Sequence, residues 1–357
     1  MSLAGITNDT KHLAVLCPSW VGDVVMATPL LRAFHERLPQ TKITVAVRPG
    51  LDELLVGLPW ISEIISCETK SLIGMVKMAK LLRTAKPDAI LLLPNSFRSA
   101  LVAKLSGTKT RIGYQRDGRS WLLTQKYPVR KSENPLPTLD YYAQLAELVL
   151  GVDKIDNQME LRITDDQQQQ ANELLKDIDR PFIVLNPGAN KPAKRWSAEC
   201  FAAIADKLSS KYNLAVLVTG SPAEKDVTQA VVDEAKSQVI DLIKRGVTLG
   251  SLKAILKKAK LLITNDTGPR HIAAALGTPL VSLFGPTDYR WTAINCHNER
   301  VLVSEPFLPE QLIADDYPKI CNMQKITVGD VLSASKELLG DCAQLKDAKP
   351  PTTKASK

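Results

Sequence analysis

Short apolar segments alternate with helical segments along this sequence, and the alternation runs through twice. The first series starts with the apolar run Lys11–Cys17 and continues to Gly113, and the second starts at Phe182. Alternation of this kind produces βαβ units and therefore parallel sheets. The segment between the two series, Asn134–Gln169, contains two prolines, one helical stretch and a polar end, which indicates a connection between two α/β domains.

We therefore expect one domain over residues 1–165 and a second over residues 166–327. A helix over residues 328–345 is expected to pack back on the first domain, and residues 346–357 are expected to form a disordered tail. The chain has 357 residues, which is enough for two domains that each bury a core.

The positive charge is concentrated in the first half of the chain. Residues 1–150 contain 19 Lys and Arg against 12 Asp and Glu, whereas residues 151–345 contain 23 against 25. An anionic partner is therefore expected at the first half, and nucleic acid, an anionic membrane surface or a phosphorylated substrate would each fit. Aromatic residues are only 5% of the chain and no basic-aromatic module is visible, which disfavours nucleic acid.

Several features indicate a cytoplasmic protein that does not span a membrane. No apolar run approaches the length that crosses a bilayer, and the N-terminus has no secretory signal pattern. Six scattered cysteines without a CxxC pair are typical of reduced thiols. Within Ser71–Lys86, a basic stripe recurs every three residues at Lys77, Lys80, Arg83 and Lys86. This stripe fits either a solvated helix face or a helix that lies on an anionic membrane.

The first candidate site is the loop Pro18–Gly22, which follows the first strand and leads to Asp23. Ligands of open α/β sheets bind beyond the carboxyl ends of the strands, so Asp23 is placed to meet one. A carboxylate at a helix start also satisfies free amides, and that structural role stays open. Gly22 alone is not a GxGxxG motif, which argues against a dinucleotide site and an NAD-dependent oxidoreductase.

Two further candidate sites follow strands of the second series. The loop Asn186–Ser197 carries Lys191, Lys194 and Arg195 and leads into a helix, so it predicts either a phosphate site or a solvated basic loop. The segment Asn265–His271 joins another strand to a helix. There Thr267, the Gly268 amide and the helix dipole make an anion-binding end, unless the helix is simply capped.

Other residues give weaker signals. Glu224 stands near a further strand end, where it could hold ribose hydroxyls or simply begin a helix. Asp165–Asp166 and Asp315–Asp316 are interpreted as solvated loops, and the histidines show no metal-ligand spacing. We therefore expect no bound metal.

Four strings in this order resemble those of the lipopolysaccharide heptosyltransferases, glycosyltransferase family 9, which belong to Gram-negative bacteria. They are CPSWVGDVVMATP at Cys17–Pro29, LPNSFRSA at Leu93–Ala100, the loop Pro187–Trp196, and NDTGPRH at Asn265–His271. The Ser-Trp-Val-Gly-Asp, Pro-Asn-Ser-Phe and Pro-Ala-Lys-Arg-Trp strings favour the heptosyltransferase II branch over the heptosyltransferase I branch. The resemblance spans roughly residues 12–340.

The resemblance implies an α/β fold of the GT-B type, in which two Rossmann-like α/β/α domains face an interdomain cleft. The first domain would bind the acceptor and the second the ADP-sugar donor. The implied reaction moves heptose from ADP-L-glycero-D-manno-heptose onto the inner-core heptose of lipopolysaccharide, with inversion and without a metal or another cofactor. The implied acceptor is an anionic, lipid-linked core oligosaccharide, so the protein would contact the cytoplasmic face of the inner membrane and would not bind nucleic acid.

The resemblance also implies roles for individual residues. Asp23 would be the general base. The implied donor-binding residues are Lys194, Arg195, Glu224, Asp266, Thr267, Gly268 and His271, with Arg270 as a weaker candidate. The implied acceptor-binding residues are Ser19, Trp20, Asn95 and Arg98. Heptosyltransferase I, another family 9 transferase and a non-catalytic nucleotide-binding or membrane-associated protein remain as alternatives.

Overall fold

The structure is a computed structural model, and it describes residues 6–7, 9–129, 135–285, 288–304 and 323–340. The strands of the first half are β1 (His12–Leu16), β2 (Lys42–Val47), β3 (Glu63–Ser66), β4 (Ala89–Leu92), β5 (Thr110–Tyr114) and β6 (Gln125–Tyr127). Its helices are α1 (Val21–Met26), α2 (Thr28–Arg37), α3 (Asp52–Leu55), α4 (Leu72–Ala85), α5 (Phe97–Leu105) and α6 (Thr138–Leu150).

The second half repeats this arrangement. Its strands are β7 (Phe182–Asn186), β8 (Ala215–Val218), β9 (Val239–Asp241), β10 (Leu262–Asn265), β11 (Leu280–Phe284) and β12 (Glu299–Val303). Its helices are α7 (Asp165–Leu174), α8 (Ala198–Tyr212), α9 (Lys225–Glu234), α10 (Leu249–Lys258), α11 (Gly268–Leu276) and α12 (Val328–Leu339).

Each half contains one six-stranded sheet in which all neighbouring strands are parallel. The orders are β3-β2-β1-β4-β5-β6 and β12-β11-β10-β7-β8-β9, so the two sheets have the same topology. In this order, which is that of the Rossmann fold, the chain reverses direction across the sheet between the first and fourth strands. The two reversal points lie between β1 and β4 and between β7 and β10, and a ligand crevice is expected at each.

The central strands are apolar because helices cover both faces of each sheet. In β1 every residue from Leu13 to Leu16 is buried, and all five residues of β7 are buried. The largest core cluster includes side chains of both halves, among them Val25 and Leu30 of the first and Ile255 and Ile272 of the second. The two halves therefore meet through packed apolar side chains as well as through polar contacts.

Several helices and strands differ from the expectation. The helix expected to start at Asp23 is divided into α1 and α2 at Ala27, where the Thr28 hydroxyl donates to the Val25 carbonyl at 2.7 Å. The edge strands β6 and β12 were not expected, because QKY is short and mostly polar and ERVLV begins with two charged residues; both strands are only partly buried. Both lie at sheet edges, where an apolar pattern is not required.

The polar segment around Gln167 is helical rather than a solvated loop. Thr164 and Gln167 form a reciprocal capping box that starts α7, and Asp165 and Asp166 occupy its exposed first turn. Acidic side chains are favourable at this end of a helix because of its dipole. The interpretation of Asp165–Asp166 as loop residues was therefore wrong, and Asp315–Asp316 lie outside the described residues.

The C-terminal helix α12 packs on the second half, whereas we expected it to return to the first. Its side chains Val331, Ala334 and Leu339 join the core that contains Trp196 and Phe201. These apolar positions cover α8 and β11, so the helix completes the domain that precedes it. The tail over residues 346–357 lies outside the described residues. Within the described part of the chain, every helix is too short or too polar to cross a bilayer.

Candidate active site

All four recognised motifs lie at the two reversal points of the sheets. Asp23 and Asn95 follow β1 and β4, and Lys194 and Asp266 follow β7 and β10. Helix α1 of the first half packs directly against α11 of the second. The two crevices therefore open towards each other, and the site forms between the halves.

Asp23 is a carboxylate whose environment suits a base. It lies in the first turn of α1 and is partly buried, and α1 packs on α11, which begins two residues after Asp266. Burial and then the nearby Asp266 carboxylate raise the pKa of Asp23 to about 6. Asp23 in turn contributes, after burial, to holding the pKa of Tyr142 well above its ordinary value. A carboxylate with a pKa near 6 is ionised at neutral pH yet more basic than an exposed aspartate.

Asp266 is held by residues of the second half. Its Oδ2 lies 3.7 Å from the Lys194 ammonium, and its Oδ1 accepts a hydrogen bond of 3.1 Å from the Thr292 hydroxyl. Arg270 is also close, with a nitrogen 3.9 Å from Oδ1. Asp266 therefore pairs with the Lys194 cation and is also the carboxylate whose charge acts on Asp23.

The start of α11 is the predicted anion-binding end. Thr267 is its N-cap, and the Thr267 hydroxyl accepts a hydrogen bond of 2.7 Å from the Asn186 amide. Gly268 follows as the first helical residue, and Val21 of the first half packs so closely on it that an added Cβ would lie 2.6 Å from the Val21 side chain. The helix start is therefore oriented into the boundary between the halves.

His271 has a different environment from the one that we expected. Its ring is buried against Gly22, where an added Cβ would lie 2.6 Å from the ring carbon Cδ2. Burial and the neighbouring Arg270 cation lower the pKa of His271 well below its ordinary value, and its Nδ1 has no hydrogen-bond partner. His271 is thus an uncharged packing group between the halves, which is not the environment of a phosphate-binding cation.

Arg270 is a structural residue. Its guanidinium makes two hydrogen bonds to Glu299, at 2.6 and 3.1 Å, and donates to the Thr292 carbonyl at 2.7 Å. It also stacks over the Phe284 ring, 4.8 Å from the ring centre. This buried network fixes β12 and the Thr292 segment beside Asp266 and leaves Arg270 engaged away from the cleft.

The cationic loop after β7 is tied to the α11 motif by Asn265. The side-chain Nδ2 of Asn265 donates to the backbone carbonyls of Pro187 and Gly188 at 2.8 and 3.2 Å. Its side-chain Oδ1 accepts from the backbone amide of Trp196 at 3.2 Å. Arg195 donates twice to the Ala189 carbonyl, at 3.0 and 2.8 Å. Arg195 therefore holds the loop in shape, and Lys194 is the cation of this loop that faces Asp266.

Glu224 begins a helix, which is one of the two roles that the sequence left open, and it lies beside the cationic loop. Its Oε2 accepts hydrogen bonds from the Ser221 amide and hydroxyl at 2.8 and 2.7 Å, which is the local capping arrangement. The carboxylate also lies against Gly188, where any Cβ would overlap it. Gly188 thus leaves the space that brings Glu224 beside the cationic loop.

Three of the four candidate acceptor residues line a cavity of about 430 Å³ in the first half. Ser19, Trp20 and Arg98 lie in its wall, together with Arg48 and Lys70. Asn95 is elsewhere: its amide donates to the Tyr141 hydroxyl at 2.7 Å and its carbonyl accepts from Arg119 at 3.1 Å. Asn95 therefore belongs to an internal network that supports the loop after β4.

No residue cluster suitable for a metal ion is present within the described ranges. No group of three or more His, Cys, Asp or Glu side chains converges there. The carboxylates Asp23 and Asp266 approach each other as a pair, and the cation beside them is Lys194.

Two matching Rossmann-type sheets, with a partly buried carboxylate on one side of the cleft and a cationic loop and helix start on the other, define a two-domain glycosyltransferase of the GT-B type. The sequence profile of glycosyltransferase family 9 (heptosyltransferase) matches residues 75–320. The chain belongs to this family and is a glycosyltransferase. The family resemblance and the α/β fold expected from the sequence are therefore confirmed.

Two relatives and one solved structure illustrate the similarity. Lipopolysaccharide heptosyltransferase 2 of Escherichia coli (strain K12) is 29% identical over 81% of this chain and 87% of its own length. The lipopolysaccharide core heptosyltransferase OpsX of Haemophilus influenzae is 29% identical over 78% of this chain and 80% of its own. The structure of E. coli ADP-heptose lps heptosyltransferase II has a TM-score of 0.78 and 27% identity, with 92% of this chain and 98% of that chain covered.

Four residues of the site were given no individual role from the sequence. Arg48 and Lys70 line the cavity, Asn186 holds Thr267, and Tyr142 lies beside Asp23. A polar residue at the end of an apolar strand would have identified Asn186, and the basic residue after β2 would have identified Arg48. Lys70 and Tyr142 reach the site only through tertiary packing, which leaves no local pattern in the sequence.

Proposed function

We propose that this enzyme transfers heptose from ADP-heptose to the inner-core heptose of lipopolysaccharide, the heptosyltransferase II reaction. The observation that carries the proposal is the Asp23 carboxylate, whose pKa is raised to about 6 and which faces Asp266, beside Lys194. The names of the E. coli relatives, heptosyltransferase 2 and ADP-heptose lps heptosyltransferase II, supply the donor and the acceptor class.

In the proposed mechanism, an acceptor hydroxyl attacks the anomeric carbon of the donor from the face opposite ADP. The new carbon–oxygen bond forms as the bond to the β-phosphate oxygen breaks, and Asp23 takes the hydroxyl proton. A positioned base of this kind contributes about 10²–10⁴-fold to the rate. The configuration of the anomeric carbon is inverted, and ADP leaves with the bonding electron pair.

Negative charge develops on the departing phosphate, and the second half stabilises it. Lys194 supplies a cation that Asp266 holds within 3.7 Å, and the start of α11 at Thr267 and Gly268 supplies backbone amides. Fixed donors aimed at developing charge are usually a large catalytic contribution. We propose that these groups do the electrostatic work without a bound metal or another cofactor, while Glu224 holds the ribose.

The acceptor would enter from the first half. The cavity there contains Arg48, Lys70 and Arg98, which suit phosphate and carboxylate groups on a core oligosaccharide. Because such an acceptor is anchored by lipid, we propose that the enzyme works at the cytoplasmic face of the inner membrane, in peripheral contact with it.

The proposal is tested by turnover with ADP-heptose and inner-core acceptors that carry zero, one or two heptoses, in the presence of a chelator. We expect ADP release with the one-heptose acceptor only. Release with the heptose-free acceptor would assign the heptosyltransferase I reaction instead. Transfer to another core acceptor is the second candidate function, because the similar protein OpsX is named a core heptosyltransferase without a number. Turnover that requires an added divalent ion would contradict the proposed metal-free mechanism.

A further inference from the structure

Exposed apolar side chains are concentrated in the first half of the molecule. Among the described residues, nine large apolar side chains are exposed, and Val301 is the single one that belongs to the second half. Ile73 is 83% exposed, Leu72 is 74% exposed, and Trp121 is 71% exposed. Exposed apolar groups are normal when scattered, but a contiguous group of them marks a contact surface.

Five of these side chains either line the acceptor cavity, stand next to its lining residues in the sequence, or contact such a neighbour. Trp20 itself lines the cavity. The lining residue Lys70 is followed at once by the start of α4, and the lining residues Ser96 and Arg98 flank Phe97. The Phe97 ring lies 6.1 Å from that of Trp121. We define the apolar collar as Trp20, Leu72, Ile73, Phe97 and Trp121.

The α4 side of the collar has the pattern of an interfacial helix. Ser71 caps α4 by accepting a hydrogen bond of 3.0 Å from the Gly74 amide, which fixes the first turn that presents Leu72 and Ile73. Lys77 and Lys80 follow on the same exposed face, at helical spacing from Ile73. Apolar side chains at the tip and lysines just behind them are typical of helices that insert shallowly into an anionic bilayer.

Arg83, the third cation of the basic stripe, does not belong to this surface. Its guanidinium donates to the Leu105 and Ser106 carbonyls and closes the end of α5. The cations beside the collar are instead Lys70 and Arg98 in the cavity wall and Lys77 and Lys80 on α4. The basic stripe in the sequence therefore continues along α4 beyond the part of the helix that lies beside the collar.

We propose that the apolar collar is a docking surface for an anionic lipid bilayer. The charge of the first half, 19 Lys and Arg against 12 Asp and Glu over residues 1–150, complements such a surface. Trp20 and Trp121 suit the level of the lipid headgroups, where tryptophan is enriched, and Leu72 and Ile73 suit the acyl boundary. A folded protein partner would need a complementary apolar face, whereas a bilayer accepts projecting side chains of any arrangement.

The inference rests on the proposed function, because a lipid-anchored acceptor gives the collar its purpose. A collar inserted in the membrane would hold the cavity mouth at the headgroup level. The core sugars could then enter the cavity while the acyl chains stay in the bilayer.

The test is sedimentation of the full-length protein with vesicles of phosphatidylethanolamine and phosphatidylglycerol. The variant Leu72→Glu/Ile73→Glu places two charges in the collar, and Val301→Glu places one on the exposed edge strand of the second half. We expect the collar variant to lose about tenfold or more in vesicle affinity, since the apolar burial is lost and anionic headgroups repel the new charges. The vesicle affinity of Val301→Glu should equal that of the wild-type protein.

Two further measurements keep the outcomes separate. Phosphatidylcholine vesicles should bind the wild-type protein more weakly, and turnover with an acceptor stripped of its acyl chains should be the same in all three proteins. Equal vesicle affinity of the collar variant and the wild type, or no affinity in either, would overturn the docking proposal. Absent turnover with the stripped acceptor, together with collar-dependent vesicle binding, would instead overturn the proposed function alone.

Discussion

Asp23 owes its basicity to residues that are distant from it in the sequence. Its pKa is raised to about 6 by burial and by Asp266, which belongs to the other half of the chain. The motif around Asp23 identified the residue, but the opposing carboxylate follows only from the packing of α1 on α11. The environments of Arg195 and His271 also follow only from tertiary packing. Their motifs suggested contacts with the donor, but Arg195 holds the shape of the loop and His271 packs between the halves.

The coupling between the two carboxylates predicts a pH dependence. Because the raised pKa keeps Asp23 protonated below about pH 6, kcat/KM should fall about tenfold per pH unit below that value. Removing the Asp266 charge in Asp266→Asn should lower the pKa of Asp23 and move this acidic limb to lower pH. The measurement is the pH profile of kcat/KM. Asp165→Asn, at the exposed start of α7, is the control and should leave the acidic limb of the profile in place. An acidic limb that does not move in Asp266→Asn would show that the two carboxylates are not coupled.

At the scale of helices and strands, most of the central elements could be predicted and the edges could not. The helix α8 was expected directly after the loop Asn186–Ser197, since its apolar period and its Ser197 cap are both local signals. The edge strands β6 and β12 and the capped helix α7 were missed, because edge positions and a glutamine-rich helix carry little apolar pattern. The close approach of α1 and α11 could not be predicted either. It depends on Gly22 and Gly268, but a glycine in the sequence does not reveal which helix packs against it.

The close packing of α1 on α11 predicts that adding one methyl group at Gly22 lowers stability. In Gly22→Ala the new Cβ would lie 2.6 Å from the His271 ring, which must then shift within a packed boundary. We expect a loss of about 1–3 kcal/mol in the free energy of unfolding, together with reduced turnover. Gly329→Ala in α12 is the matched control, because nothing lies closer than 3.4 Å to its Cβ position. Denaturant unfolding of the two variants makes the comparison, and equal stability would mean that the helices have room to separate.

At the scale of the whole molecule, polar contacts join the halves behind the site. Glu53 at the start of α3 accepts a hydrogen bond of 2.6 Å from the Gly250 amide of α10. The Lys253 ammonium donates to the carbonyls of Leu54 and Arg162 at 3.3 and 2.7 Å, and burial lowers the pKa of Lys253 to about 8. Such contacts lie up to 199 residues apart in the chain, which explains why two domains were predictable and their arrangement was not.

Glu53→Ala tests this junction. It leaves the first turn of α10 without its carboxylate and Lys253 without a nearby negative charge, so the free energy of unfolding should fall by about 1–3 kcal/mol. Glu36→Ala is the control, since the exposed Glu36 carboxylate lies 3.8 Å from Arg32, which keeps its other carboxylate partners, and its loss should change stability by about 0.5 kcal/mol or less. Thermal unfolding of both variants is sufficient, and a Glu53 variant as stable as the control would contradict the structural role of the contact.

The central claim is a division of labour, in which the first half removes the acceptor proton and the second half binds the donor and stabilises its leaving phosphate. The most direct measurement is the affinity for ADP-heptose alongside the turnover rate, in Asp23→Asn and in Lys194→Ala. We predict that Asp23→Asn binds the donor within about twofold of wild type while its rate falls about 10²–10⁴-fold. Lys194→Ala should lose about tenfold or more in donor affinity. Wild-type turnover in Asp23→Asn, or undiminished donor affinity in Lys194→Ala, would contradict this assignment.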